Sequence, residues 1–229
     1  MGRDPEVAAY IETLKKSPSE YLFNPWFQTD PENDRIKEAP EVRRRQLQAY
    51  LSERRGKARI LLIAEALGYQ GGHFTGIAMT SERILLGHQR EKYGVGPDSV
   101  FRSVTPERTS RHSVNRLGMS EPTATIVWGA LADLGIDPYR VVLWNAVPWH
   151  PWRTGNGRLS NRTPNRKEME AGLGKLREFL TLFPEAQPVA VGRKCQQSLS
   201  LLGMDPLHVR HPANGGAPAF RNQLKQWFG

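Results

Sequence analysis

The sequence predicts an α/β domain built on a parallel sheet. Four short apolar runs, at residues 59–66, 141–147, 187–192 and 206–209, have the length of strands. The first three are almost continuous in apolar side chains, which is typical of strands buried on both faces of a parallel sheet. Helical patterns separate the later runs, and strands that alternate with helices define the α/β class. The sequence shows neither an internal repeat nor a linker that would divide it.

Two helices are predicted before the first strand, over residues 4–16 and 41–55, because apolar side chains recur there every three or four residues. The second helix also carries a run of arginines. These arginines either face DNA or form the solvated side of the helix. They are Arg43, Arg44, Arg45, Arg54 and Arg55.

Three further helices are predicted after the first strand. One begins at Ser120 and Pro122, where a serine cap and a proline in the first turn are favourable. The second carries an apolar stripe over residues 169–183. The third places Cys195 on its apolar stripe, which makes this cysteine a core residue rather than a nucleophile.

The chain is strongly basic, with 32 Lys and Arg against 23 Asp and Glu and a net charge of +9. Because each neutralised phosphate releases counterions, this balance favours nucleic acid as a partner over a basic surface that serves only solubility. The connections 87–116 and 151–167 concentrate the basic residues. Loops of this length are usually functional or disordered, and we expect both to follow the backbone of DNA.

The sequence also excludes several classes of site. A single cysteine excludes an intramolecular disulfide, a cysteine-ligated iron–sulfur cluster and a zinc site built on several thiolates. Phosphate-loop, HExxH and GxSxG motifs do not occur. We therefore expect no metal and no other cofactor. Apolar runs are shorter than the roughly 20 residues that span a bilayer, and the chain starts without an apolar signal region. A cytoplasmic monomer without a membrane partner is expected.

Glycines and polar residues concentrate after three of the predicted strands, at residues 64–76, 144–151 and 210–216. In an open parallel sheet the carboxyl ends of the strands meet at one edge, and ligands bind in the crevice beyond them. The sequence therefore predicts a binding site at this edge.

Four segments at these strand ends resemble, in order, the motifs of the uracil-DNA glycosylase superfamily. They are Ala-Glu-Ala-Leu-Gly at 64–68, Phe-Thr-Gly at 74–76, Val-Leu-Trp-Asn at 142–145 and His-Pro-Ala-Asn at 211–214. The resemblance extends from about residue 59 to the end of the chain. Together with the strand pattern it implies one domain over 1–229, with an N-terminal helical part (1–58) and an α/β core (59–229). The expected fold is a three-layer α/β/α sandwich with a central four-stranded, mainly parallel sheet.

The resemblance implies hydrolysis of the N-glycosidic bond of uracil in DNA, which leaves an abasic site. Phe74 would stack on the extruded base, the alternative being an ordinary core residue. Asn145 would match uracil O4 and N3–H, a pattern that cytosine reverses, unless it only caps its strand. Ala66 and Tyr69 complete the implied uracil site, where Tyr69 would block the methyl group of thymine.

His211 and Glu65 are the implied catalytic residues. Cleavage places negative charge on uracil O2, to which His211 would donate a hydrogen bond; a purely structural hydrogen bond is the alternative. Glu65 would orient the attacking water or place negative charge near the cationic sugar. The loop at His211 resembles one that enters the minor groove of DNA. The residues expected to contact DNA are Arg153, Arg210, Asn214 and Gly215.

The chain departs from the superfamily motifs within the first of them. Ala64 replaces the leading glycine, and Leu67 replaces the usual proline. Ala66 stands where some families carry a catalytic aspartate, so that no side-chain base is implied there. The branch with a Glu-Ala-Pro-Gly motif binds an iron–sulfur cluster through four cysteines, which this sequence lacks. The chain resembles a divergent branch.

Three other functions stay open on the sequence. The same fold can act on another deaminated base, such as hypoxanthine or xanthine. A non-catalytic relative can bind uracil or abasic sites in DNA. An α/β hydrolase or nucleoside-processing enzyme with an incidental basic charge would act on free nucleosides, and its DNA binding would depend only weakly on salt.

Overall fold

The computed structural model describes residues 4–229, so that residues 1–3 of the predicted domain lie outside the described range. The strands are β1 (Leu22–Phe23), β2 (Ile60–Ala66), β3 (Val141–Val147), β4 (His150–Pro151), β5 (Gln187–Val191) and β6 (Leu207–Val209). The helices are α1 (Pro5–Thr13), α2 (Ala39–Ser52), α3 (Gly72–Thr75), α4 (Glu82–Leu85), α5 (Arg90–Tyr93), α6 (Pro97–Val100), α7 (Pro122–Asp133), α8 (Arg166–Leu180), α9 (Arg193–Leu201) and α10 (Ala217–Phe228). Over the described range, no helix combines the length and the apolar character needed to cross a membrane.

Within residues 4–229, β3, β2, β5 and β6 form one sheet in that order, and each neighbouring pair is parallel. Ile60 of the central strand β2 lies opposite Val141 on one side and Gln187 on the other. The predicted α/β fold with a four-stranded sheet is confirmed. A separate antiparallel pair, β1 with β4, was not predicted, because strands of two residues carry no periodicity.

Helices flank the sheet, and β3 shows how its two faces differ. Side chains alternate along a strand, so Trp144 and Asn145 point to opposite faces. Trp144 stacks on Phe179 of α8 with ring centroids 4.4 Å apart, and the ring of Trp26 lies 6.0 Å from it. Burial of each ring contributes roughly 2 kcal/mol or more. Asn145 instead faces a cavity beside the start of α7.

Two of the five arginines predicted for the surface of α2 are buried and structural. Arg43 pairs with Asp34, with 2.7 Å between Nη1 and Oδ1. Arg54 donates to the carbonyl oxygens of Val141 (2.8 Å) and Val100 (2.7 Å), and thereby ties α2 to the start of β3. These two side chains face neither DNA nor solvent, because their guanidinium donors satisfy acceptors inside the protein.

The start of α7 differs from the prediction by one residue. The N-cap is Glu121 rather than Ser120, and its side chain makes no capping hydrogen bond within the described chain. The start of α8 shows the usual arrangement, in which Asn165 Oδ1 accepts from the N–H of Glu168 at 3.0 Å. The carboxylate of Glu121 is thus directed away from its own helix.

Candidate functional site

A cavity of about 450 Å³ opens at the carboxyl ends of β2 and β3. Its size lies within the range of about 300–1,000 Å³ that is typical of small-molecule sites. It occupies the edge of the sheet at which the sequence predicts a site. The residues that line it are Ala64, Ala66, Gly68, Gln70, Met79, Glu121, Pro122, Thr123, Ile126, Asn145, Asn161, His211, Pro212, Ala213 and Asn214.

Asn145 lies at the floor of this cavity and is 2% exposed. Its neighbour in the register of β2 is Ala64, whose methyl group leaves the amide open to the cavity. The Oδ1 atom is shielded from solvent and has no hydrogen-bond partner among residues 4–229. An unsatisfied buried acceptor costs about 1–3 kcal/mol, and a ligand N–H would remove that cost.

His211 also lines the cavity, from the loop between β6 and α10. The N–H of Ala213 donates to its Nδ1 atom at 3.1 Å. A neutral ring therefore carries its proton on Nε2 and presents a donor. Burial, helped by the nearby Arg210, lowers the pKa of His211 and keeps the imidazole neutral near pH 7.

Glu121 borders the cavity from the start of α7. Its Oε2 atom is buried without a hydrogen-bond partner in the described part of the chain. Burial raises the pKa of this carboxyl group from 4.5 to about 7. A group with a shifted pKa at the edge of a cavity is a candidate for catalysis.

Met79 supplies an apolar surface of the cavity and is 4% exposed. Its φ of 46° is in the left-handed region, which is strained for a residue with a β-carbon. The backbone there is held by neighbours: the indole N–H of Trp128 donates to the Met79 carbonyl at 3.1 Å, and Thr75 Oγ1 donates to the Thr80 carbonyl at 2.8 Å. The backbone that carries the Met79 side chain is thus held in place beside the cavity.

Phe74 and Glu65, predicted to stack on the base and to act in catalysis, both lie outside the cavity wall. Phe74 is fully buried, and its ring lies 4.4 Å from that of His73. Glu65 lies between Ala64 and Ala66, which both line the cavity, so that strand alternation turns it to the other face of the sheet. There its Oε1 atom lies 3.2 Å from Nζ of Lys194 on α9.

The remaining predicted residues divide between the cavity and its surroundings. Ala66 and Asn214 line it, whereas Gly215 and Arg210 are exposed on the loop of His211. The other two belong to neighbouring loops. Tyr69 donates its backbone N–H to Asn161 Oδ1 at 3.1 Å, and Arg153 Nε donates to the Asn161 carbonyl at 3.1 Å.

A pair of buried histidines supports the loop that carries Asn161. Nδ1 of His73 and Nδ1 of His150 are 3.0 Å apart, and Nε2 of His150 donates to the Ser160 carbonyl at 2.8 Å. On the far side, His73 Nε2 lies 3.1 Å from Oδ2 of Asp30. Burial lowers the pKa of His150 to about 3, so this ring is neutral. The pair links three segments behind the cavity.

Glu121 and Met79 are lining residues that the sequence analysis did not assign to the site. A sequence signal existed for Glu121. A helix between two parallel strands runs antiparallel to them, which places its amino end at the carboxyl edge of the sheet. A glutamate beside Pro122, at the amino end of the predicted helix, was therefore a candidate. Met79 carried no such signal, because its segment has no strand or long helix of its own.

In the part of the chain that the structure describes, no group of three or more His, Cys, Asp or Glu side chains is arranged to hold a metal ion. Asn145, His211 and Glu121 are instead the polar groups that a ligand in the cavity would meet. They offer an acceptor, a donor and a carboxyl group that titrates near pH 7.

Residues 53–225 match the family model of the Uracil DNA glycosylase superfamily. The fold is similar to the crystal structure of wild-type Pedobacter heparinus SMUG2, with a TM-score of 0.57 and 12% sequence identity. This match covers 97% of the present chain and 95% of the other. A search among curated proteins found no match. The structural likeness concerns the fold, whereas the family match spans most of the sequence.

Proposed function

The chain belongs to the uracil DNA glycosylase superfamily, which makes it a DNA glycosylase for damaged bases, and we propose that its preferred base is uracil. One observation carries the proposal. The cavity at the strand ends holds an amide oxygen, Oδ1 of Asn145, that has no partner within the described residues, and it is also lined by a histidine that presents an N–H donor. The products would be free base and an abasic site.

Asn145 provides the selection between bases. Its Oδ1 atom would accept from N3–H of uracil while Nδ2 donates to O4, so that both polar atoms of the amide are satisfied. Cytosine presents an acceptor at N3 and a donor at position 4, which leaves the buried amide unpaired. A site built on hydrogen bonds rejects such a mismatch strongly.

His211 stabilises the leaving base. As the C1′–N1 bond breaks, negative charge collects on the base and in particular on O2. The Nε2–H group donates to that oxygen, and its effect is large because the bound base would displace water from the cavity. Only a neutral ring with its proton on Nε2 is needed, which agrees with the hydrogen bond that Nδ1 accepts from Ala213.

Met79 packs against the face of the flipped base in this proposal. Among the described lining residues there is no Phe, Tyr or Trp, and the ring of Phe74 is enclosed in the core. A thioether contacts an aromatic ring favourably and adapts to its shape. Stacking on Met79 would be weaker and less specific than stacking on a phenyl ring.

The DNA backbone would be held by the loops around the cavity. Arg210, Asn214 and Gly215 lie on the exposed loop of His211, and Arg153 lies on the neighbouring basic loop. Binding should weaken steeply with salt, since each phosphate contact releases counterions. No lysine is among the described residues of the cavity wall, so a Schiff base with the sugar, and with it strand cleavage, is not part of the proposal.

Hypoxanthine or xanthine is a second candidate, which the volume of the cavity favours. A cavity of about 150 Å³ suffices for a single six-membered ring. The present cavity, at about 450 Å³, leaves space for a two-ring base.

The test is single-turnover excision from DNA oligomers that carry one uracil, hypoxanthine, xanthine or thymine, followed by alkali. We expect breaks in the uracil oligomer after alkali and none before it. Faster excision of hypoxanthine or xanthine would replace uracil by a purine. Tight, salt-sensitive binding without release of any base would contradict the proposed reaction and favour a lesion-binding protein.

A further inference from the structure

Glu121 is held at the rim of the cavity by two glycines. A β-carbon at Gly71 would lie 1.9 Å from Oε2 of Glu121, and one at Gly68 would lie 3.4 Å from Oε1. The carboxyl group therefore rests on the bare backbone of the turn after β2. Because Ala66 and Gly68 both line the cavity, this turn brings the Glu121 carboxyl close to the position where some relatives carry an aspartate.

No cationic side chain among the described lining residues offsets the negative charge of the Glu121 carboxylate. Neither Lys nor Arg is found among the described lining residues, and His211 is the other titratable side chain that faces the cavity. The adjoining wall from α7 contributes Pro122, Thr123 and Ile126, none of which is charged. Burial raises the pKa of Glu121 to about 7, close to the pH at which a general base is most effective.

We propose that Glu121 is the general base of the glycosylase reaction, taking a proton from the water that attacks C1′ of the sugar. This inference rests on the proposed function and deepens it. The C1′–N1 bond breaks and its electron pair leaves with the base. The water oxygen bonds to C1′, and one of its protons passes to a carboxylate oxygen of Glu121. The base anion, held by His211, is protonated from solvent on release, and Glu121 returns its proton to solvent.

Two other positions near the strand end, Ala66 and Glu65, are less suited to act as the general base. Ala66 has no ionisable group. Glu65 lies on the opposite face of the sheet, where its Oε1 atom is 3.2 Å from Lys194 Nζ. Glu121 borders the cavity and has a carboxylate oxygen for which the described chain supplies no donor.

The first test is the pH dependence of single-turnover excision of uracil by the wild type and by Glu121→Gln. The wild-type rate should rise through about pH 7, where Glu121 loses its proton, and then level off. The variant should be about 100-fold slower at pH 8 and should lack this rise. An unchanged rise in Glu121→Gln overturns the inference, whatever its rate.

Glu185→Gln is the matched control, because it removes the same charge at the other edge of the sheet. Glu185 is exposed, with 72% of its side chain accessible, and its Oε2 atom lies 3.2 Å from Arg59. It should keep the rate and the pH profile of the wild type. A 100-fold loss in this control too would mean that charge alone slows the reaction, and would overturn the role of Glu121.

A binding experiment separates failure of this inference from failure of the proposed function. DNA with a cationic pyrrolidine ring at the abasic position mimics the charged sugar, and DNA with a neutral tetrahydrofuran ring does not. At pH 8 the wild type should bind the cationic DNA at least tenfold more tightly, and Glu121→Gln should lose that preference.

If the wild type excises no base but this preference exists and depends on Glu121, the proposed reaction fails and the position of the carboxylate at the sugar is supported. If uracil is excised and Glu121→Gln keeps the preference, the inference is overturned and the glycosylase function stands.

Discussion

Glu82 and Glu121 both have carboxylate atoms shielded from solvent, yet residues 4–229 donate several hydrogen bonds to Glu82 and none to Oε2 of Glu121. Glu82 accepts from the backbone N–H groups of Thr109 (2.8 Å), Ser110 (2.9 Å) and Met119 (3.0 Å), and from the Ser110 hydroxyl. For Oε2 of Glu121 no donor exists among residues 4–229.

This difference distinguishes a structural carboxylate, whose hydrogen bonds come from the protein, from one whose hydrogen bonds are left to a ligand or to water. Glu82 joins α4 to the connection before α7, so its bonds are formed on folding. Glu121 borders the cavity, as does Asn145, whose Oδ1 atom also lacks a partner in the described chain. Unpaired buried polar atoms are costly, and they are tolerated where they serve a function.

The largest expected change is a loss in the free energy of unfolding caused by Glu82→Gln. The amide keeps one acceptor but turns an NH₂ group toward backbone donors, so at least one N–H is left unpaired in a fully buried site. We expect the free energy of unfolding to fall by about 3 kcal/mol, measured by urea denaturation. A loss below about 1 kcal/mol would show that the two glutamates do not differ as described.

Glu121→Gln, in contrast to Glu82→Gln, should stabilise the protein, by an amount that depends on pH. The pKa of Glu121 is about 7 in the folded protein, against 4.5 in the unfolded chain, so the folded state keeps the proton to higher pH. The cost of burying the charge is absent below pH 4.5, grows up to about pH 7 and is complete above it.

Relative to the wild type, Glu121→Gln should therefore gain about 2 kcal/mol of stability between pH 4.5 and pH 8, a value reduced because solvent enters the cavity. Urea denaturation at several pH values measures the gain. A constant difference between the two proteins would show that Glu121 is not a buried, uncompensated acid.

His211→Ala tests a second polar group of the cavity, the proposed donor to O2. We expect excision to slow at least about tenfold, which corresponds to about 1.4 kcal/mol of barrier, because the donor to O2 is lost. Binding of uncleavable DNA should change little, since His211 acts on the charge that develops during the reaction. An unchanged rate would remove His211 from the mechanism.

Asn145→Asp should have the most specific effect, a change in the choice between bases. The carboxylate lacks the N–H donor that matches O4 of uracil, so excision of uracil should weaken relative to the other bases. The ratio of single-turnover rates on the four oligomers measures this change. An equal loss on every base would indicate that Asn145 only supports the end of β3.

Much of this arrangement follows from the sequence, because buried parallel strands are almost continuous in apolar residues. The runs that became β2, β3, β5 and β6 could be read directly, and Asn145 and His211, near the ends of β3 and β6, were assigned through their resemblance to the superfamily motifs. The orientation of Glu65 was not predicted: it was expected in the same site as Ala66, although adjacent residues of a strand point to opposite faces.

Other features depend on contacts between segments far apart in the chain. Arg43 and Arg54 are buried because carboxylates and carbonyls from other segments receive their donors. Met79 reaches the cavity through a strained backbone that Trp128 helps to hold. No local sequence pattern predicts such contacts. Met79, on the long connection between β2 and α7, was therefore not predicted as a residue of the site.

We expect the unpaired groups of the cavity to meet an extruded base and the water that attacks its sugar. A crystal structure of Glu121→Gln bound to DNA with a single uracil tests it most directly, because slow turnover would preserve the intact substrate. We expect uracil inside the cavity, with N3–H donating to Asn145 Oδ1, O2 accepting from His211 Nε2 and a water between residue 121 and C1′. A uracil that remains stacked in the duplex, or that binds elsewhere on the protein, would contradict it.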